Sequence, residues 1–251
     1  MNLSVDINAD LGEGSGHDAE LFELNSSANI ATGFHAGDSD TMHTAISEGK
    51  KHGVAVGGHP SFFDRENFGR KELNVPNEEV FDAVAYQLGI FQAIACALDV
   101  QPNHVKPHGA LYNMAVRDEK LADAIARAIA SVDPKLILFA PDKSALARAG
   151  EAHGLQIARE IFADRNYLND GWLVPRTRPD ALLRDPKEAA QRVLRMLRQG
   201  KVRSVEGHDV DVRAETICVH GDTPGAVEFA RELRTQLESQ GVRISAPQSS
   251  L

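Results

Sequence analysis

Four of the chain's ten histidines share one setting: His35, His59, His108 and His220 each stand just beyond a short apolar run. The histidines at 17, 43, 52, 104, 153 and 208 do not. Imidazole titrates near neutral pH, so histidines gathered at one place suit proton transfer, oxyanion stabilisation or metal ligation. The same setting collects other polar residues. Asn8, Asp10 and Glu13 fall in NADLGEG, Asp38 in GFHAGD, and Lys106 and Tyr112 beside His108 in KPHGALY. Asp164 and Arg165 follow a later run, and Asp222 follows His220 in HGDTP. Arg65 and Arg70 belong to GGHPSFFDRENFGR, a stretch too long and chemically varied for a plain connection.

Within these segments several readings separate on chemical grounds. Asp6, Asn8 and Asp10 alternate as in a calcium loop, but such a loop needs glycine directly after its third ligand, and Leu11 stands there. Ile7 and Ala9 between them instead fit a strand whose opposite face is buried, with Asp10 projecting at its end. Lys106 precedes Pro107, which biases it to extended backbone, either as a snorkelling rim residue or as an anion clamp. Arg65, Arg70, Arg165 and Arg176 are open to the same two readings, and the Asp164–Arg165 pair suits a clamp for carboxylate or phosphate. GxxxxGK[ST], GxSxG and HExxH are all absent, which removes those routes to nucleotide binding, serine hydrolysis and zinc proteolysis.

The elements that must hold these residues alternate. Strand-like runs are Leu3–Ile7, Ala28–Ala31, Val54–Val56, Val105 with its neighbours, Leu136–Phe139, Leu155–Phe162 and Thr216–Val219. Helical patterns fall near 39–52, 77–98, 118–131, 142–153, 186–199 and 224–240. Asp38, Asn77, Asp118, Asp142 and Asp185 open them as N-caps or first-turn acids, and Gly53, Gly154, Gly200 and Gly241 close them. Strand–helix alternation without a linker predicts one parallel α/β barrel over residues 1–251, with an open doubly wound sheet as the alternative. A hairpin is expected as an insertion over 202–216, and the final GVRIS as an edge strand. In such a barrel the segments that follow the strands share one face, where barrels carry their chemistry. The loop after His59 is expected to cover that face as a mobile lid.

Composition narrows the partners. Lysine and arginine number 27 against 36 acids, a net charge of −9, which argues against nucleic acid or anionic membrane. No apolar run approaches the roughly 20 residues a membrane span needs. The opening MNLSVDINAD lacks the basic start of a signal peptide. Cys96 and Cys218 read as buried free thiols, and a reducing cytoplasm is the expected location.

Six stretches together resemble one family: NADLGEG, NIATGFHAGD, GGHPSFFDRENFGR, VKPHGALYN, EIFADRNYLNDGWLVPR and ICVHGDTP. They run from residue 8 to 224 and are similar to the LamB/YcsF family, the A subunits of bacterial 5-oxoprolinase. Gly58 and Thr32 stand where that family often has alanine and cysteine. The resemblance implies a seven-stranded, TIM-like βα barrel related to glycoside hydrolases and polysaccharide deacetylases. It implies ATP-dependent opening of 5-oxo-L-proline to L-glutamate, together with subunits B and C, with Mg2+ as the ion accompanying ATP. Further copies of this chain are the remaining partner class.

Under that resemblance Asp10 is the candidate base, His59 and His108 are proton carriers or oxyanion donors, and Lys106 and Arg165 hold phosphate or the substrate carboxylate. Asn8, Glu13, His35, Asp38, Arg65, Arg70, Tyr112, Asp164, His220 and Asp222 line the substrate. Two alternatives remain: a metal-dependent deacetylase or deformylase, with Asp10, His35 and His59 as candidate ligands, and a lactam-binding subunit without chemistry of its own.

Overall fold

The computed structural model describes residues 3–175, 177–219 and 225–249; Arg176, His220 and Asp222 lie outside them. Seven parallel strands close on themselves. They are β1 (Ser4–Leu11), β2 (Ser27–Ala31), β3 (Ala55–His59), β4 (His104–Val105), β5 (Ile137–Ala140), β6 (Ile157–Phe162) and, beyond a hairpin, β9 (Thr216–Cys218). Closure is made where β9 returns to β1, pairing Asp6 with Thr216, Ile7 with Ile217 and Asn8 with Cys218. An open doubly wound sheet is therefore excluded. The hairpin, β7 (Lys201–Arg203) and β8 (Asp209–Asp211), is shorter than expected, because Thr216 already belongs to the barrel. The last strand, β10 (Arg243–Ile244), pairs with the start of β1.

Eight helices among the described residues coat the barrel: α1 (Asp18–Leu24), α2 (Ser39–His52), α3 (Asn77–Ala97), α4 (Gly109–Ala115), α5 (Glu119–Val132), α6 (Ala145–Ala152), α7 (Pro186–Gln199) and α8 (Ala226–Ser239). Their ends follow local chemistry. Asp38 accepts from the amides of Asp40 and Thr41 in a full capping box, and Gly53 ends α2 in the left-handed region. Asp118 and Asp185 cap α5 and α7. Asp142 does not cap α6; Ser144 does, accepting from the amide of Ala147. Asn77 is the first residue of α3 rather than its cap, which is Pro76.

Outward-facing strand residues Val5, Ile7, Ala9, Leu11, Ala28 and Ile30 pack beneath α1 and α2. α3 departs from expectation: at 21 residues it is long and apolar enough by composition to cross a membrane. It nevertheless buries Val80, Val84, Leu88, Phe91 and Ala95 against the barrel, as an amphipathic core helix does. Cys96 lies on its outer face and is exposed, so only Cys218 is a buried thiol.

Inside the barrel a small apolar cluster of Ile137, Phe139 and Ala158 sits beneath a polar layer. The His104 ring stacks on Phe139, centroids 4.2 Å apart. Gly57 makes room for it: a Cβ there would lie 2.3 Å from His104, while one at Gly58 would lie 2.6 Å from Leu88 of α3. This pair serves packing, not the flexibility that a Gly-Gly sequence suggests.

Candidate functional site

Asp6, Asn8 and Asp10 are alternate residues of β1 and all point inward. The first two are fully buried, and Asp10 reaches the open end. Burying three such groups is tolerable only if each is bonded, and they are. Thr216 and Ser26 donate to the two oxygens of Asp6, at 2.5 and 2.6 Å. The Asn8 amide donates to Thr216 and Glu160, at 2.7 and 3.1 Å. Asn29 donates to Asn8 Oδ1 and Asp10 Oδ1, at 2.7 and 2.8 Å, and accepts from His104 Nε2 at 2.9 Å.

Lys106 is the cation at the centre. Its Nζ lies 2.9 Å from Glu160 Oε1, 3.2 Å from Asp10 Oδ1, 3.2 Å from Asn8 Oδ1 and 3.0 Å from Cys218 Sγ. Burial works against its charge, but the carboxylates of Asp10 and Glu160 outweigh it and hold the ammonium well above its ordinary value. Lys106 is thus neither a snorkelling residue nor an open anion clamp; its donors are spent inside the barrel. Burial likewise keeps the Cys218 thiol neutral, despite Lys106. Tyr112 of α4 donates to Glu160 Oε2 at 2.5 Å, and burial beside that carboxyl pushes its hydroxyl well up.

Above Lys106 three imidazoles meet. His59 Nδ1 donates to the Lys106 carbonyl at 2.6 Å, and its Nε2 faces His108 Nδ1 at 2.9 Å and Asp10 Oδ2 at 3.4 Å. His108 Nε2 donates to the Phe68 carbonyl at 2.9 Å. The His35 ring lies parallel to that of His108, centroids 3.8 Å apart. Its Nε2 is 2.9 Å from Glu13 Oε1 and its Nδ1 3.0 Å from Ser61 Oγ. Burial opposes charge on His59, yet Asp10 raises it above its ordinary value. Burial, then the His59 cation, pushes His35 down to about 2 and His108 down to about 3. The surroundings thus favour positive charge at His59 and disfavour it on His35 and His108. For Asp10, burial is outweighed by His59 and Lys106, and its carboxyl is held well below the usual range.

The structure therefore brings together Asn8, Asp10, Glu13, His35, His59, Lys106, His108 and Tyr112. It places others elsewhere. Asp38 is an exposed cap with its side chain taken by α2. Arg65 donates to the carbonyls of Gly33 and Gly37, at 2.7 and 2.8 Å, tying two loops. Arg70 lies over the Phe68 ring. Asp164 and Arg165 follow β6, where Arg165 is buried and donates to the Val174 carbonyl at 2.7 Å. Glu160, Asn29, His104 and Cys218 are members of the network that the sequence reading left out. The available signal was Glu160: an acid inside the apolar run Leu155–Phe162 needs a buried partner.

In this structure the loop after His59 packs as a wall of the site. Phe62 is buried, Phe63 is 74% exposed against Phe34, and the Phe68 ring meets His35 and His108 edge-on. Gly69 donates to Asp64 O at 2.8 Å and accepts from the Ala110 amide at 2.9 Å. A recess of about 740 Å3 lies at the other end of the barrel, lined by Phe22, His52, Arg234 and Gln248, away from this cluster.

Fold and site define a closed α/β barrel with a charged, histidine-rich centre at the carboxyl ends of its strands, where such barrels bind and react. The chain belongs to the LamB/YcsF family, whose model matches residues 5–251. It is similar to a lactam utilization protein from Thermus thermophilus, at 44% identity and a TM-score of 0.92, over 98% of this chain and 100% of that one. A T48 deacetylase solved with substrate shares the fold alone, at 13% identity and a TM-score of 0.51, over 97% and 87% of the two chains.

Proposed function

We propose that this chain is component A of an ATP-dependent 5-oxoprolinase, acting on the cyclic amide 5-oxo-L-proline in the cytoplasm together with subunits B and C. One observation carries the reading: Asp10, Lys106 and His59 form a buried charge group that opens only at Asp10, whose side chain is 15% exposed against 4% and 1% for the other two. The likeness to a lactam utilization protein supplies the substrate class.

Opening a lactam ring requires water at the carbonyl carbon, a holder for the oxygen's charge and a proton for the departing nitrogen. His59 carries that proton, on an Nε2 that lies between His108 Nδ1 and Asp10 Oδ2, so that it reaches the opening beside Asp10. Asp10, strongly ionised between two cations, is a weak base in the resting site. It serves as the counter-ion that keeps His59 protonated, and accepts a proton only once that pairing is broken. Arg65 and Arg165 donate to backbone carbonyls and so brace the loops of the rim. ATP and its Mg2+ belong to the assembly with B and C.

The test is glutamate release from 5-oxoproline by this chain alone, by B and C, and by all three. Release needing all three and ATP is expected. Equal release by B and C without this chain removes it from the reaction. Release by this chain alone without ATP replaces the reading with that of a metal-dependent amidohydrolase.

A further inference from the structure

The hydrogen bonds around the imidazoles fix which nitrogens bear hydrogens. A carbonyl only accepts, so His59 Nδ1 and His108 Nε2 are both N–H, bonded to Lys106 O and Phe68 O. The inward nitrogens, His59 Nε2 and His108 Nδ1, are then both lone-pair donors when the rings are neutral, yet they face one another at 2.9 Å. Glu13 Oε1 completes a triangle, 3.3 Å from His108 Nδ1 and 3.7 Å from His59 Nε2. Three electron-rich atoms this close need a cation among them. A proton satisfies one pair of atoms; an ion satisfies all three.

From this geometry we infer that Glu13, His59 and His108 bind one divalent transition-metal ion. Three features support the site. The triangle's edges of 2.9, 3.3 and 3.7 Å bracket the edge of about 3.4 Å that ligands at roughly 2.1 Å make around a tetrahedral ion. Both imidazoles are oriented by bonds from their outer nitrogens to carbonyls, the arrangement that aims metal-bound histidines. Two histidines and a carboxylate leave further positions open, as in reactive rather than structural sites, and two nitrogen ligands favour zinc-like ions over Mg2+ or Ca2+.

His35 is the fourth residue of the cluster, with its donor atom within 4.8 Å of the other three, but it is not a ligand. Its ring is parallel to His108 within 6° at 3.8 Å, so both cannot aim in-plane lone pairs at one ion. It donates instead to Glu13 Oε1 while Ser61 Oγ, 3.0 Å away, holds its Nδ1. It positions the carboxylate. Asp10 stands outside this four-residue cluster: Lys106 and Asn29 hold its Oδ1, and its Oδ2 lies beside His59 Nε2 at 3.4 Å. An ion on His59 Nε2 displaces the proton that His59 otherwise carries, so the proton-carrying role of His59 belongs to the metal-free state. The site itself rests on this geometry and not on the lactam reading, so loss of ATP-dependent activity in the reconstituted assay does not touch it.

The test uses the full chain, free of any histidine tag and stripped with a chelator, titrated with Co2+ and then Zn2+. Wild type and the surface variant His153→Ala are expected to take up one equivalent, with visible Co2+ absorption typical of four or five ligands, and to melt at higher temperature with Zn2+. His108→Ala and Glu13→Gln are expected to weaken binding by at least about a hundredfold, and His35→Gln by about ten- to a hundredfold, as for residues that orient ligands. Should His108→Ala fail to fold by circular dichroism, the nearly isosteric Glu13→Gln decides. No saturable uptake by wild type, or uptake undiminished in Glu13→Gln, overturns the site and leaves a proton on His59 as the only cation there.

Discussion

Lys106 sets the energetics of the site at the scale of single residues. Its ammonium stands between the carboxyls of Asp10 and Glu160, and both it and Glu160 are essentially shut off from water. Removing one partner of such a group leaves charge without compensation, which costs about 3–5 kcal/mol. Lys106→Met is therefore expected to lower the urea midpoint by that equivalent, and Lys106→Met with Glu160→Gln to recover part of it; a double variant no more stable than the single would show that Lys106 and Glu160 are not coupled. Asp10→Asn keeps the shape but removes the counter-ion that charges His59. In the complex with B and C it is expected to cut turnover by at least about a hundredfold, the scale of proton-transfer defects. Near-normal turnover would take Asp10 out of the mechanism. His35, His59, His108 and Asp10 were legible in the sequence because they follow apolar runs. Asn29, His104 and Cys218 were not, because barrel strands are buried on both faces and their inward phase leaves no alternation to read.

At the scale of elements, the wall after His59 depends on two glycines at close quarters with the imidazoles. Gly69 has φ 65°, and a Cβ there would lie 2.8 Å from His35 Cβ and 2.9 Å from His108 Cδ2. Gly109, which opens α4 with φ 55°, would meet the Gly69 carbonyl at 2.5 Å. Gly53 has φ 67° with open space around it, so Gly53→Ala reports the backbone cost alone, about 1 kcal/mol. Gly109→Ala adds the overlap and is expected to cost about 2–4 kcal/mol by urea unfolding. Equal costs for the two would mean that the wall yields freely. The amides of Gly69 and Ala110 are expected to resist hydrogen exchange without any ligand; fast exchange that slows only on substrate binding would restore the lid. Six helices were legible from period and capping residues. α1 and α4 were missed, because each is a seven-residue segment too short to show a period. Lid and wall were not distinguishable in the sequence for a related reason: phenylalanines and glycines look alike in both until their partners are known.

For the whole molecule the decisive event is closure of the barrel, and a titratable group sits in that seam. Asp6 pairs with Thr216 across β1 and β9 and accepts hydrogen bonds from Thr216 and, just before the start of β2, Ser26. Burial pushes its carboxyl from the ordinary 3.8 up to about 6, against the opposing hydrogen bonds. The folded state thus binds this proton more tightly than the unfolded chain. The stability it brings is fully present below pH 3.8 and is lost as pH rises through about 6. The loss is of the order of 3 kcal/mol at about 1.36 kcal/mol per pH unit. Asp10, held below its ordinary value, contributes with the opposite sign in acid, so the wild-type profile alone does not isolate the seam. The difference between Asp6→Asn and wild type does. Asparagine keeps an acceptor and a donor at the seam without a charge, so this variant is expected to gain on wild type steadily from about pH 4 to about pH 7, then run parallel to it. Unfolding free energies from urea at half-unit pH steps measure this directly. A difference that stays flat across that window would mean that Asp6 titrates as an ordinary carboxylate, and that the charge at the seam is stabilised by more than the two hydroxyls that reach it.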